Sequence, residues 1–158
     1  MMLRRHLPRL LAVLLLTPLV AVAHDWNSAI VWRPYAAGLA EAKKTGRPVC
    51  LVVSTEWCPH CKSYARVFQD PAVVKASKRF VMIHVDKDAE PAASAAYAPD
   101  GEYIPRTMFL DPQGTLAPAL HAPRPRYLYF FDESDPRQLL ATMDQAAKLG
   151  ASKKRAQR

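Results

Sequence analysis

Two short apolar runs rich in β-branched residues, Pro48-Val49-Cys50-Leu51-Val52-Val53 and Phe80-Val81-Met82-Ile83-His84-Val85, set the framework of this chain. Each has the length and composition of a buried strand. Between them Cys61, Tyr64, Ala65 and Phe68 recur at helical spacing and predict a helix over 58–69, and Asp70-Pro71 opens a second short helix through about Lys78. Strand, helix and strand in that order imply a parallel pair joined by a right-handed crossover. Upstream, Tyr35 to Thr45 predicts a helix with Leu39 and Ala42 inward, stopped by Gly46, and Trp26 and Trp32 are expected to pack against the body. Downstream, residues 87–103 are rich in Pro, Ala and Asp without a period, and no element is predicted there. The stretch from Tyr103 to Leu116 predicts two strands joined by the Asp111-Pro112-Gln113-Gly114 turn as an antiparallel hairpin, with Pro105 at a strand start. Residues His121 to Tyr129 read as an irregular loop. Asp135-Pro136 starts a closing helix whose apolar face holds Leu139, Leu140, Met143 and Ala147. The fold class is α/β, a central mixed sheet flanked by helices.

The two ends differ from this body. Arg4, Arg5 and Arg9 precede an apolar run from Leu10 to Val20 and an Ala21-Val22-Ala23 cleavage pattern, so residues 1–23 read as an export signal removed to leave His24 first. The run is shorter than the about 20 residues a membrane span needs. Residues 24–149 are expected to form one domain, and residues 150–158 a basic, solvated tail. The formal net charge of +8 belongs to these ends. Of 22 basic residues, three lie in the leader and five in 148–158; the 14 that remain match 14 acidic residues. A neutral body argues against a nucleic-acid groove.

The chemistry is carried by Trp57-Cys58-Pro59-His60-Cys61-Lys62. Cys58 falls where a strand hands over to a helix, and the unpaired N–H groups and dipole of a first helical turn favour a thiolate there. Such positions bring cysteine pKa values into a range of about 3.5–7.5. Cys58 is thus the expected nucleophile. Pro59 suits an early helical position, His60 can supply a donor or positive charge near the sulfur, and Cys61, one turn further in, is the expected resolving thiol. A zinc site would need two more ligands at compatible spacing, and no second C-x-x-C or H-x₃₋₅-H pattern is present. Cys50, inside an apolar strand, reads as a buried and inert thiol, and His84 as a hydrogen-bonded histidine of the sheet.

With the strand before and helix after it, the cysteine pair has the thioredoxin arrangement. Together with Pro99-Asp100-Gly101-x-Tyr103-Ile104-Pro105-Arg106-x-Met108-Phe109-Leu110-Asp111-Pro112, the chain resembles the small single-domain thioredoxin proteins of the endoplasmic reticulum, the anterior gradient group and its catalytic relative. It is also similar to exported bacterial thioredoxin-like domains, including the C-terminal domain of the thiol reductase DsbD. The resemblance implies a cis Ile104-Pro105 bond facing the cysteines, in a loop that holds the substrate backbone. The Pro59-His60 dipeptide is that of DsbA, a periplasmic oxidase. Two positions depart from the pattern. The chain ends Arg155-Ala156-Gln157-Arg158 without a reticulum-retention tetrapeptide, which favours a bacterial periplasm. Where thioredoxin has a buried Asp that helps move the resolving proton, six residues before the first cysteine, this chain has Val52. Glu56 is nearer in sequence, and the base serving Cys61 is left open.

The expected function is exported thiol–disulfide exchange with cysteine-containing protein substrates. Cys58, Cys61, His60 and Pro59 form the reactive set, and Trp57, Ile104 and Pro105 contact the client. No metal and no cofactor is expected, the chain is expected to be a monomer, and a redox partner, a membrane carrier among the candidates, would recycle the pair. Three alternatives stay open: a periplasmic reductase fed by a membrane thiol carrier, a copper-handling protein using Cys58, Cys61 and His24, and a client-binding module.

Overall fold

The computed structural model describes Trp26 and residues 29–156. The predicted leader, the A-x-A site and His24 lie outside the described residues. Among the described residues four strands form one sheet in the order β1-β3-β2-β4. They are β1 (Trp32–Arg33), β2 (Val49–Ser54), β3 (Val81–Asp86) and β4 (Arg106–Leu110). The expected parallel pair is β2 with β3, in register from Val49↔Val81 to Ser54↔Asp86. β4 runs antiparallel to β2, which makes the sheet mixed.

Side chains alternate across a strand, so each strand feeds two layers. Val49, Leu51, Val53, Val81, Ile83, Val85, Met108 and Leu110 face α1 (Tyr35–Thr45) and α4 (Pro91–Ala96). Cys50, Val52, Met82 and Phe109 face α2 (Pro59–Ala65), α3 (Pro71–Ser77) and α5 (Arg137–Ala156). Trp26 and Trp32 join this second layer edge to face, with ring centroids 6.0 Å apart, as their aromatic character predicts. Gly46 ends α1 at φ 68°, its N–H bonded to the Ala42 carbonyl. Within α1, Gly38 allows a close approach to the sheet: a Cβ there would lie 2.4 Å from Ile83 Cγ1.

Several elements differ from expectation. The helix predicted over 58–69 forms as α2 followed by a 3-10 turn at Val67–Gln69; Pro71 holds Asp70 in extended geometry, which ends the segment there, and the Asp70 carboxylate then caps α3. α4 occupies the stretch where no element is predicted; its Pro-Ala-Ala-Ser-Ala-Ala sequence buries only Ala93 and Ser94 and so carries no large-residue period. The hairpin after β4 is a correction. The Asp111–Gly114 turn forms, with Asp111 accepting from the N–H groups of Gln113 and Thr115, but the return is a single bridge between Leu110 and Leu116. Ala117 still donates to the Phe109 carbonyl, but the next ladder position on β4, Thr107, is bonded elsewhere, so the pairing stops there. The outer edge of β4 is met instead by the irregular loop, where Thr107 donates its N–H to the Tyr129 carbonyl at 2.8 Å. α5 buries Leu139 and Met143 as predicted, adds Ala146, and continues through Ala156 into the stretch read as a tail.

Candidate active site

β2 ends at Ser54, and four residues later the chain enters α2 with Cys58 as its N-cap. Cys58 keeps extended geometry at φ −76° and ψ 116°, while Pro59 occupies the first helical turn. The cap acceptor is the sulfur itself: the Cys61 N–H donates to Cys58 Sγ at 3.2 Å. A negative sulfur here meets an N–H that has no carbonyl partner in the helix. The sequence therefore places both cysteines in one turn, with the outer sulfur at the helix start and the inner one behind it.

Their surroundings differ. Cys61 is 1% exposed among Tyr64, Phe68 and Trp26, and its thiol is pushed up to about 12. Loss of hydration is the main cause, followed by its hydrogen bond to Cys58; the Thr55 backbone pulls the other way, and the charges of Cys58 and Glu133 add to the rise. Cys58 is 4% exposed, next to Trp57, which is 66% exposed. Trp57 is fixed by its indole N–H, which donates to Asp88 Oδ2 at 2.7 Å. α2 is tied to the sheet through a buried bond of 2.8 Å between the Tyr64 and Thr107 hydroxyls.

His60 points to the loop before α5. Its Nδ1 donates to the Glu133 carboxylate at 2.9 and 3.1 Å, and its ring lies edge-on to Phe130, centroids 5.9 Å apart. Across the site the Ile104-Pro105 peptide is cis. Ile104 packs on the cluster that holds both cysteines. Directly after it, Arg106 is wholly buried and donates to the carbonyls of Tyr103 and Ser94 and to the Ser94 hydroxyl. Behind Cys61 a cleft of about 450 Å³ is lined by Trp26, Ser54, Thr55, Glu56, Cys61, Lys62 and Ala65. Among the described residues no group of three His, Cys, Asp or Glu gathers in a way that could hold a metal ion.

A model of thioredoxin-like proteins matches residues 31–112, which include the sheet, the cysteine pair and the cis-proline segment. The chain belongs to the thioredoxin-like family. It is 26% identical over 130 residues to the human anterior gradient protein 2 homolog, covering 81% of this chain and 73% of that one. It is 28% identical over 131 residues to anterior gradient protein 3 of Xenopus tropicalis, covering 81% and 78%. Among solved structures it is similar to a thioredoxin from Thermus thermophilus, with a TM-score of 0.55 and 24% identity over 77% of this chain and 90% of that one. A DsbH oxidoreductase gives a TM-score of 0.58 at 19% identity, covering 84% and 94%. These two structures support the fold.

The thioredoxin-like fold brings Cys58, Pro59, His60 and Cys61 onto one helix start, with Ile104 packed on the same cluster. Sequence reading missed Glu133, 73 positions from the histidine it binds, since no spacing rule links them. It also missed the Arg106 anchor; an arginine opening a strand that ends in Met108, Phe109 and Leu110 was the available signal. His84 was expected to be hydrogen-bonded within the sheet, and its Nε2 lies 2.6 Å from Ser54 Oγ.

Proposed function

We propose that this protein is an exported thiol–disulfide oxidoreductase that exchanges disulfides with the cysteines of other proteins. The observation that carries the reading is Cys58 Sγ at the start of α2, accepting the Cys61 N–H, with Cys61 one turn behind it. In the reductive direction the Cys58 thiolate attacks a client disulfide, forming a mixed disulfide and releasing one client thiolate, which takes up a proton. Cys61 then loses its proton and attacks Cys58 Sγ, releasing the second client thiolate and leaving a Cys58–Cys61 disulfide. The reverse sequence donates that disulfide to a client. Trp57 and the Ile104-Pro105 segment flank the incoming chain, and His60, held by Glu133, borders it on the loop side. The residue pattern of the leader supports action outside the cytosol, where protein disulfides persist; the compartment proposed is a bacterial periplasm. A separate redox partner would recycle the pair.

Paired cysteine variants test this. Cys61→Ser is expected to accumulate a covalent adduct with a disulfide-containing protein such as insulin, detectable by mass and cleared by reductant. Cys58→Ser is expected to form no adduct and to lose disulfide transfer. Full transfer activity in Cys58→Ser would end the reading.

A further inference from the structure

Resolution requires Cys61 to give up a proton from a buried position, and the exchange reading alone does not say where that proton goes. Ser54, the last residue of β2, and Thr55 after it both line the cleft that reaches Cys61. Both side chains are almost fully buried, and among the described residues the Thr55 hydroxyl has no hydrogen-bond partner. Ser54 is bonded to His84 Nε2 at 2.6 Å, and His84 stands across from Val52 in the β2–β3 register, on the sheet face that lies under α2. The His84 ring is enclosed by Trp26 and Trp32, with centroids at 4.8 and 5.9 Å. A buried hydroxyl thus connects an imidazole to the cleft that holds the resolving thiol.

We propose that His84, acting through the Ser54 hydroxyl and the solvent of this cleft, accepts the proton that Cys61 releases when it resolves a mixed disulfide. This rests on the disulfide-exchange reading. When Nε2 carries no hydrogen, Ser54 donates to it, and the same hydroxyl accepts a proton from the cleft as it passes its own on. Cys61 leaves as thiolate, bonds to Cys58 Sγ and expels the client sulfur; the proton rests on His84 and returns to Cys61 when the pair is reduced again. Glu56 and Lys62 also line the cleft. A lysine ammonium has no lone pair to offer, and a carboxylate is in general a weaker base toward a thiol proton than an imidazole. Asp86, the next residue on this face of β3, accepts the N–H groups of Asp88 and Ala89 through its Oδ1 at 2.8 and 3.0 Å, which turns that oxygen to the β3–α4 turn.

The test separates the two chemical steps. An aromatic disulfide that releases a coloured thiolate reacts first with Cys58 and then, as Cys61 attacks the resulting mixed disulfide, releases a second equivalent. In stopped-flow at pH 7, His84→Asn and Ser54→Ala are expected to slow the second release at least tenfold and leave the first within about twofold. Raising the pH to 9 is expected to narrow the gap, because hydroxide replaces the lost acceptor. Glu56→Gln is expected to leave both phases near wild type. An unchanged second phase in the two relay variants, or a loss that does not vary with pH, overturns the proposal. Ser54→Ala carries the test if His84→Asn does not fold. Wild-type protein that releases no thiolate would bring down the exchange reading itself, a result distinct from failure of the relay.

Discussion

Cys61 is held as a thiol by the loss of its hydration shell, and that has a consequence for stability as well as for chemistry. An unfolded thiol ionises near pH 9, whereas the folded one keeps its proton to about 12. In that window the folded state binds more protons, so the stabilisation from this group is complete below about pH 9 and is lost as pH climbs. Cys50, also wholly buried and pushed upward by burial, acts in the same direction. Urea unfolding of the reduced protein at pH 7, 9 and 10 is expected to show a falling midpoint, and Cys61→Ala a shallower fall; equal slopes would contradict the account. At this scale the sequence was most informative about the cysteines, because C-x-x-C between a strand and a helix has few other uses. It was silent on Glu133 and on the Ser54–His84 bond, which depend on how distant segments pack.

Elements follow from local rules where an apolar period and a stop signal coincide. α1 has the predicted bounds because Gly46 supplies a left-handed stop, and β2 and β3 appear because their runs are continuous and β-branched. α4 was invisible because alanine and serine mark no face, and the expected second hairpin strand stops early because Thr107, the next ladder position on β4, is bonded to Tyr129 instead. Gly38 shows what helical periodicity does not report. Nothing in Tyr35–Thr45 indicates that one position must lack a side chain, yet Ile83 fills the space a Cβ would take. Gly38→Val is expected to lower stability by about 1–3 kcal/mol through forced displacement of α1 from β3. Chemical denaturation with an unchanged m-value is the check; a variant as stable as wild type would show that the contact relaxes freely.

Across the whole molecule, the site is assembled from three places in the chain: the end of β2 with α2, the Tyr103–Arg106 segment, and the loop before α5. Arg106 joins the second of these to α4, and its buried guanidinium is the donor for the carbonyls of Ser94 and Tyr103. Arg106→Met keeps the length but strands those acceptors, with an expected loss of about 2–4 kcal/mol. Arg106→Lys is expected to recover only part of it, since an ammonium cannot reproduce the fork. Urea midpoints that match wild type for both variants would contradict this. The mixed α/β layering was legible from strand alternation and the crossover rule; the packing of the long loop on β4 was not, since Tyr129 meets Thr107 through backbone alone. The central claim is that Cys58 and Cys61 form a reversible redox pair. Equilibrating the protein across a glutathione buffer series and counting alkylated thiols by mass tests it most directly. The account predicts one two-electron transition confined to Cys58 and Cys61, within the span from about −270 mV for thioredoxin to about −120 mV for DsbA. A pair that stays reduced at every poise would contradict it.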